Sequence, residues 1–158
     1  MSLDVLSENG QLAVKQSRRA LELLGCKYVE TKQDTTSDID GFFLNDANEV
    51  IACYEIKSRN NSLDDLENKF NDEWLITYDK IIKGAVIAKA LQIPFYGVLY
   101  LVKDDTTLLI KIAGSNGEFI PNIRIERTKT QATCNGGTAN RVNAYINMRS
   151  AKEYSENS

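Results

Sequence analysis

Asp40, Glu55 and Lys57 have the side-chain types and the spacing to handle a phosphate and a divalent cation. Glu55 and Lys57 close the run Ile51-Ala52-Cys53-Tyr54-Glu55-Ile56-Lys57, which reads as a strand that stays apolar until its last residues. Side chains alternate across a strand, so Glu55 and Lys57 share one face, while Tyr54 and Ile56 turn to the other and into a core. Asp40 precedes Gly41-Phe42-Phe43-Leu44 within a second strand read over 37–44, acidic at its start. Asn45-Asp46-Ala47-Asn48 between the two runs is rich in turn formers. An antiparallel hairpin brings the start of the first strand beside the end of the second, which places Asp40, or Asp38, near Glu55 and Lys57. Asp38 lies two residues before Asp40 and can share its face, as a second ligand or as a solvated loop residue. Asp40 is preferred because the unbroken apolar segment begins directly after it, although a one-residue slip of the strand would exchange faces. The plainer alternative for Glu55 and Lys57 is a solvent-facing charge pair, which contributes little.

This arrangement resembles the PD-(D/E)XK nuclease superfamily: Asp40 ahead of an apolar strand, then Glu55-Ile56-Lys57 at the end of the next. Glu55-Ile56-Lys57-Ser58-Arg59 is also similar to the corresponding segment of archaeal Holliday-junction resolvases and of several phage and restriction nucleases. Ile39 stands where the superfamily's name has Pro, and the likeness runs from Gln11 to Val102. The resemblance implies a restriction-endonuclease-like core, α-β-β-β-α-β, and a metal-dependent endonuclease that hydrolyses DNA phosphodiester bonds. It implies Mg²⁺, or Mn²⁺, held by Asp40, Glu55 and the Ile56 carbonyl, with Lys57 orienting the attacking water. Hard oxygen ligands suit these cations, which keep several waters when one or two carboxylates bind them. A general-base role for Lys57 is disfavoured, because neighbouring carboxylates raise an ammonium pKa. The resemblance further implies a helix upstream that lends a side chain to the site, with Glu8 and Gln11 as candidates, and a homodimer. Glu8 also reads simply as an acidic residue favoured at a helix start. A catalytically inactive nuclease-fold protein that binds nucleic acid or assembles complexes is the alternative.

The elements needed to position these residues are legible along the chain. Gln11 to Leu24 reads as a helix closed by Gly25, and Cys26 to Glu30 as a short strand. Ser62 with Asp65 can cap a short helix from Leu63 to Phe70. Glu73 to Ile76 is ambiguous between strand and helix. Thr77 reads as an N-cap for Tyr78 to Leu91, where Ile81, Ile82, Ala85, Val86, Ala88 and Leu91 fall at helical spacing and Pro94 prevents continuation. Phe95 to Val102 is a strand by composition, Thr107 to Ile112 returns from a turn at 103–106, and Gly114 to Gly117 turns again. Ile123 to Thr128 reads as a strand, Thr130 to Thr138 as a polar loop, and Arg141 to Arg149 as a strand with Val142, Ala144, Ile146 and Met148 on one face. The polar tail at 150–158 is expected to be disordered. The order gives an α/β fold, a mixed β-sheet flanked by helices, in a single domain spanning 1–158.

Composition bounds the function. The 158 residues include no histidine, which excludes histidine bases, histidine metal ligands and an HNH-type nuclease. Cys26, Cys53 and Cys134 are odd in number and widely spaced, which fits reduced thiols in a cytoplasmic protein. No apolar run approaches the roughly 20 residues that span a bilayer, and Met1-Ser2-Leu3-Asp4 lacks the marks of a signal peptide, so no membrane association is expected. Net charge is −3, divided as −6 over residues 1–120 and +3 over 121–158. Tight non-specific DNA binding is disfavoured by that total, but carboxylates that hold a metal add to the negative count. Arg59 and Lys80 are candidates for phosphate contact. Trp74 and Tyr78 could stack on bases, with core packing favoured for both. Gly136-Gly137 lacks the strand–loop–helix setting of a phosphate loop.

Overall fold

The computed structural model describes residues 8–31, 37–132 and 138–156, with 128–132 and 138–140 described by backbone alone. The elements run α1 (Glu8–Leu24), β1 (Lys27–Glu30), β2 (Gly41–Leu44), β3 (Val50–Arg59), α2 (Leu63–Asn68) and β4 (Glu73–Thr77). They continue with α3 (Tyr78–Leu91), β5 (Phe95–Leu101), β6 (Thr106–Ala113), β7 (Ile123–Ala132), β8 (Thr138–Asn147) and β9 (Lys152–Tyr154). The fold is α/β: a mixed six-stranded sheet, ordered β1-β2-β3-β5-β6-β9, is flanked by helices and accompanied by a three-stranded sheet, β4-β8-β7.

β3 is the hinge of this layout. It pairs antiparallel with β2 through the hairpin and parallel with β5. A parallel partner requires a crossover, here supplied by α2, β4 and α3. The hairpin turn is held by Asn45, whose Oδ1 accepts the N–H groups of Ala47 and Glu49 at 3.0 and 2.9 Å, and Asn48 adopts a left-handed φ of 62°. The Ser62–Asp65 capping box forms as expected at the start of α2. Thr77 does occupy the N-cap of α3, but its side chain makes no capping hydrogen bond.

Each face of the main sheet has its own core. Toward α1 lie Leu21, Tyr54, Ile56, Val98 and Tyr100. Toward α3 and the second sheet lie Ile81, Phe95, Leu99, Ile112, Trp74 and Ile146. Gly97 lets the two sheets close: a Cβ there would stand 2.6 Å from the Trp74 ring. Trp74, 2% exposed, is therefore a core residue, and Tyr78 packs against the same cluster.

Several expectations are corrected. The first hairpin strand begins at Gly41, and Asp38, Ile39 and Asp40 form a bend. Thr31 bends the chain there, its hydroxyl donating to the carbonyls of Ile39 and Asp40 at 2.8 and 3.0 Å. Residues 73–77, open between strand and helix in the sequence, are a strand, fixed by pairing with β8. Thr130 to Ala132 extend β7 and Thr138 begins β8, while the rest of the polar loop lies outside the described residues. The tail expected to be disordered supplies β9, because the free edge of β6 offers Thr107, Leu108 and Leu109 as pairing partners. Only 157–158 of that tail lie outside the described residues.

Candidate active site

The site grows out of the way β2 ends. The Cys53 N–H donates to the Pro94 carbonyl at 3.0 Å, so along β3 the odd residues address β5 and the even ones β2. Gly41 pairs with Tyr54, and Asp40, one residue earlier, comes alongside Glu55. With β2 finished, the Ile56 N–H has no strand to donate to, and the Asp40 carboxylate accepts it at 2.8 Å through Oδ2. Within a strand the N–H and C=O of one residue point to the same side. The Ile56 carbonyl is thus directed toward the gap that Asp40 occupies.

Glu55 is the unusual member. It is 1% exposed, and neither of its carboxylate oxygens has a hydrogen-bond partner among the described residues. The Lys57 Nζ approaches Oε1 at 3.8 Å, an ion pair beyond hydrogen-bond reach. Like charges placed opposite each other across a strand pair are destabilising. Burial first, and the Asp40 carboxylate second, push the Glu55 carboxyl up to about 8, against the pull of Lys57 and Lys80. Both effects favour the protonated carboxyl.

Lys57 sits at the end of β3 with 39% of its side chain exposed, between the buried carboxyl and solvent. Lys80, in the first turn of α3, is half-buried and adds a second positive charge that Glu55 feels. Arg59 is exposed, donates to the Ser58 carbonyl at 2.9 Å, and has its pKa lowered by partial desolvation. Between α1 and the end of β3 a cavity of about 430 Å³ opens, lined among others by Gly10, Ser17, Asp40, Lys57, Ser58 and Arg59 and not by Glu55.

The remaining candidates fall elsewhere. Asp38 is drawn to Lys83 on α3, at 3.8 Å, and its side chain is 57% exposed. It does not join Asp40 and Glu55. Glu8 and Gln11 lie exposed in the first turn of α1, outside the cavity lining. The sequence reading had no signal for two features of the cavity wall. One is the Ser58 hydroxyl, which donates to Gln16 Oε1 at 2.7 Å. The other is the Tyr54 hydroxyl, buried without a hydrogen-bond partner among the described residues, over the space left by Gly41.

Among the described residues no three acidic, cysteine or histidine side chains converge as a ready metal cluster. The acidic donors here are Asp40 and Glu55, a number that suits a cation keeping much of its water. A buried carboxyl that accepts no hydrogen bond among the described residues, facing a second carboxylate, has the donor chemistry that suits a small hard cation. Comparison with family models, curated proteins and solved structures finds no match, so the chemistry of the site rests on these residues alone.

Proposed function

We propose that this chain is a Mg²⁺- or Mn²⁺-dependent deoxyribonuclease of the PD-(D/E)XK type, hydrolysing phosphodiester bonds at Asp40, Glu55 and Lys57. The observation that carries the reading is the opposed pair Asp40 and Glu55, the latter buried and, among the described residues, accepting no hydrogen bond at either oxygen. Further support comes from element order: α1-β1-β2-β3, then α3 and β5, follows the α-β-β-β-α-β core that the superfamily resemblance implies, with α2 and β4 inserted.

Each residue has a separate task. Asp40 and Glu55 would hold the cation, with the Ile56 carbonyl as a neutral third donor. When bound, such a cation supplies charge relief to the phosphate and acidifies water. Glu55 must first release its proton, so loading is coupled to pH. Lys57, beside Glu55 and open to solvent, orients a water and stabilises charge that develops on the phosphate. Lys80 and Arg59 flank the site as phosphate contacts.

The test is cleavage of linear, branched and single-stranded DNA with Mg²⁺ or Mn²⁺. Glu55→Gln and Lys57→Ala are each expected to reduce cleavage at least about 100-fold while the circular dichroism spectrum stays that of the parent. Unchanged cutting in either variant removes the mechanism.

A further inference from the structure

The chain is acidic overall, yet its most extended feature is basic. Residues 123–147, the ribbon of β7 and β8, contain Arg124, Arg127, Lys129 and Arg141 against Glu126 alone, a net +3 in a protein of net −3. The charges divide by use. Arg124 is taken up by Glu73 and Glu126, at 3.0 and 2.7 Å, and lies 4.0 Å over the Tyr145 ring. Arg127 and Arg141 are exposed and have no carboxylate partner among the described residues.

Among the described residues the ribbon is paired to another strand at its base alone. β4 pairs with β8 from Glu73↔Asn147 to Thr77↔Asn143, where β4 ends. Beyond Asn143, β7 and β8 pair only with each other, through Arg127↔Val142 and onward. One face changes character along this overhang: Ile123 packs on the core, Ile125 is 45% exposed, and Arg127 is exposed. At the base that same face packs toward α3. The chain passes from Thr77 straight into α3, whose first turn carries Lys80.

We propose that the β7–β8 ribbon is an arm that enters a groove of duplex DNA, with Arg127 on one face and Arg141 on the other reaching the phosphates that border the groove. This deepens the nuclease reading and rests on it for the arm's purpose. A two-stranded ribbon has the width that a duplex major groove admits. Unpaired arginines on an acidic protein provide local attraction where the rest of the surface repels. The division of labour explains how a chain of net −3 can hold a polyanion: repulsion over most of the surface, attraction on one projecting element.

The test measures binding of a labelled duplex, and of the same strand alone, without divalent cation and over a series of salt concentrations. Arg127→Ala/Arg141→Ala removes only exposed side chains and is expected to melt with the parent. Duplex affinity should fall at least about tenfold at low salt, and the slope of log Kd against log salt should fall by about two, one for each lost phosphate contact. Arg127→Lys/Arg141→Lys should keep most of the affinity, and the parent should prefer duplex to single strand. Parental affinity and slope in the alanine variant overturn the proposal, as does a parent that binds both DNAs equally. Mn²⁺-dependent cleavage by the parent is scored separately. Cleavage together with unaltered binding by the alanine variant removes the arm and keeps the nuclease. Loss of binding in that variant with no cleavage under any cation keeps the arm and removes the nuclease.

Discussion

The Asp40 carboxylate accepts the Ile56 backbone N–H at 2.8 Å, doing the work of a strand that has already ended. One side chain thereby has two duties, closing the β2–β3 ladder and facing Glu55, and substitution can separate them. Asp40→Asn keeps an oxygen for Ile56 and removes the charge opposed to Glu55. It is expected to be at least as stable as the parent without metal, while losing at least about 100-fold in cleavage. Asp40→Ala leaves the N–H unpaired and should be about 1–2 kcal/mol less stable than Asp40→Asn in urea unfolding. Equal stability of the two variants would show that the hydrogen bond contributes nothing.

Glu55 sets a pH dependence whose sign follows from its environment. Its folded-state pKa is raised to about 8 from the ordinary 4.5, so between those values the folded protein keeps a proton that the unfolded chain has released. Stability from this group is full below the lower value, falls as pH rises through the interval, and levels off above about 8. Metal-free urea midpoints for the parent should decline across this range, and Glu55→Gln should flatten the decline. The same proton competes with the cation. Mn²⁺ affinity, followed by calorimetry, should rise about tenfold per pH unit below 8 and then plateau.

Gly41 and Tyr54 make a packing prediction independent of metal. A Cβ on residue 41 would meet the Tyr54 ring and the Val29 carbonyl, each at 2.5 Å. Gly41→Ala should therefore lower stability by about 1–3 kcal/mol. Tyr54→Phe removes a buried hydroxyl that has no hydrogen-bond partner among the described residues and should be neutral or stabilising by up to about 1 kcal/mol. The double variant should recover little, since the backbone carbonyl of Val29 does not move aside. Thermal unfolding of the three variants checks the set.

Truncation after Arg149 should destabilise the domain although the removed residues are mostly polar. It deletes β9, the pairing with Thr107 to Leu109 and the packing of Tyr154 on the α1-side core. A loss of about 1–3 kcal/mol in urea unfolding is expected. An unchanged midpoint would make the strand dispensable.

Local signals made the hairpin and the main helices legible. The turn formers at 45–48, the apolar runs on either side and the helical spacing of Ile81, Ala85 and Ala88 each describe neighbouring residues, and the structure keeps them. That register placed Asp40 beside Glu55. What was illegible depends on distant partners. Glu73 to Thr77 becomes a strand by pairing with residues some seventy positions later, and β9 forms where an edge of β6 happens to be free. The separation of Asp38 from Asp40 was hidden for the same reason, because Lys83 on α3 is what draws Asp38 away. Burial of Glu55 to 1% exposure also requires α3 and β5 to be in place, so nothing in Glu-x-Lys alone signals its unpaired oxygens.

Asp40 and Glu55 belong to a single hairpin, fifteen positions apart in the chain. A contact of such short loop length can close on the microsecond scale, ahead of the docking of helices from farther along. The two carboxylates thus meet first in water, where the high dielectric keeps their mutual repulsion small. Their antagonism becomes severe only as α3 settles over them, so the late phase of folding, rather than hairpin closure, is the moment at which the protein must draw a proton or an ion from solution.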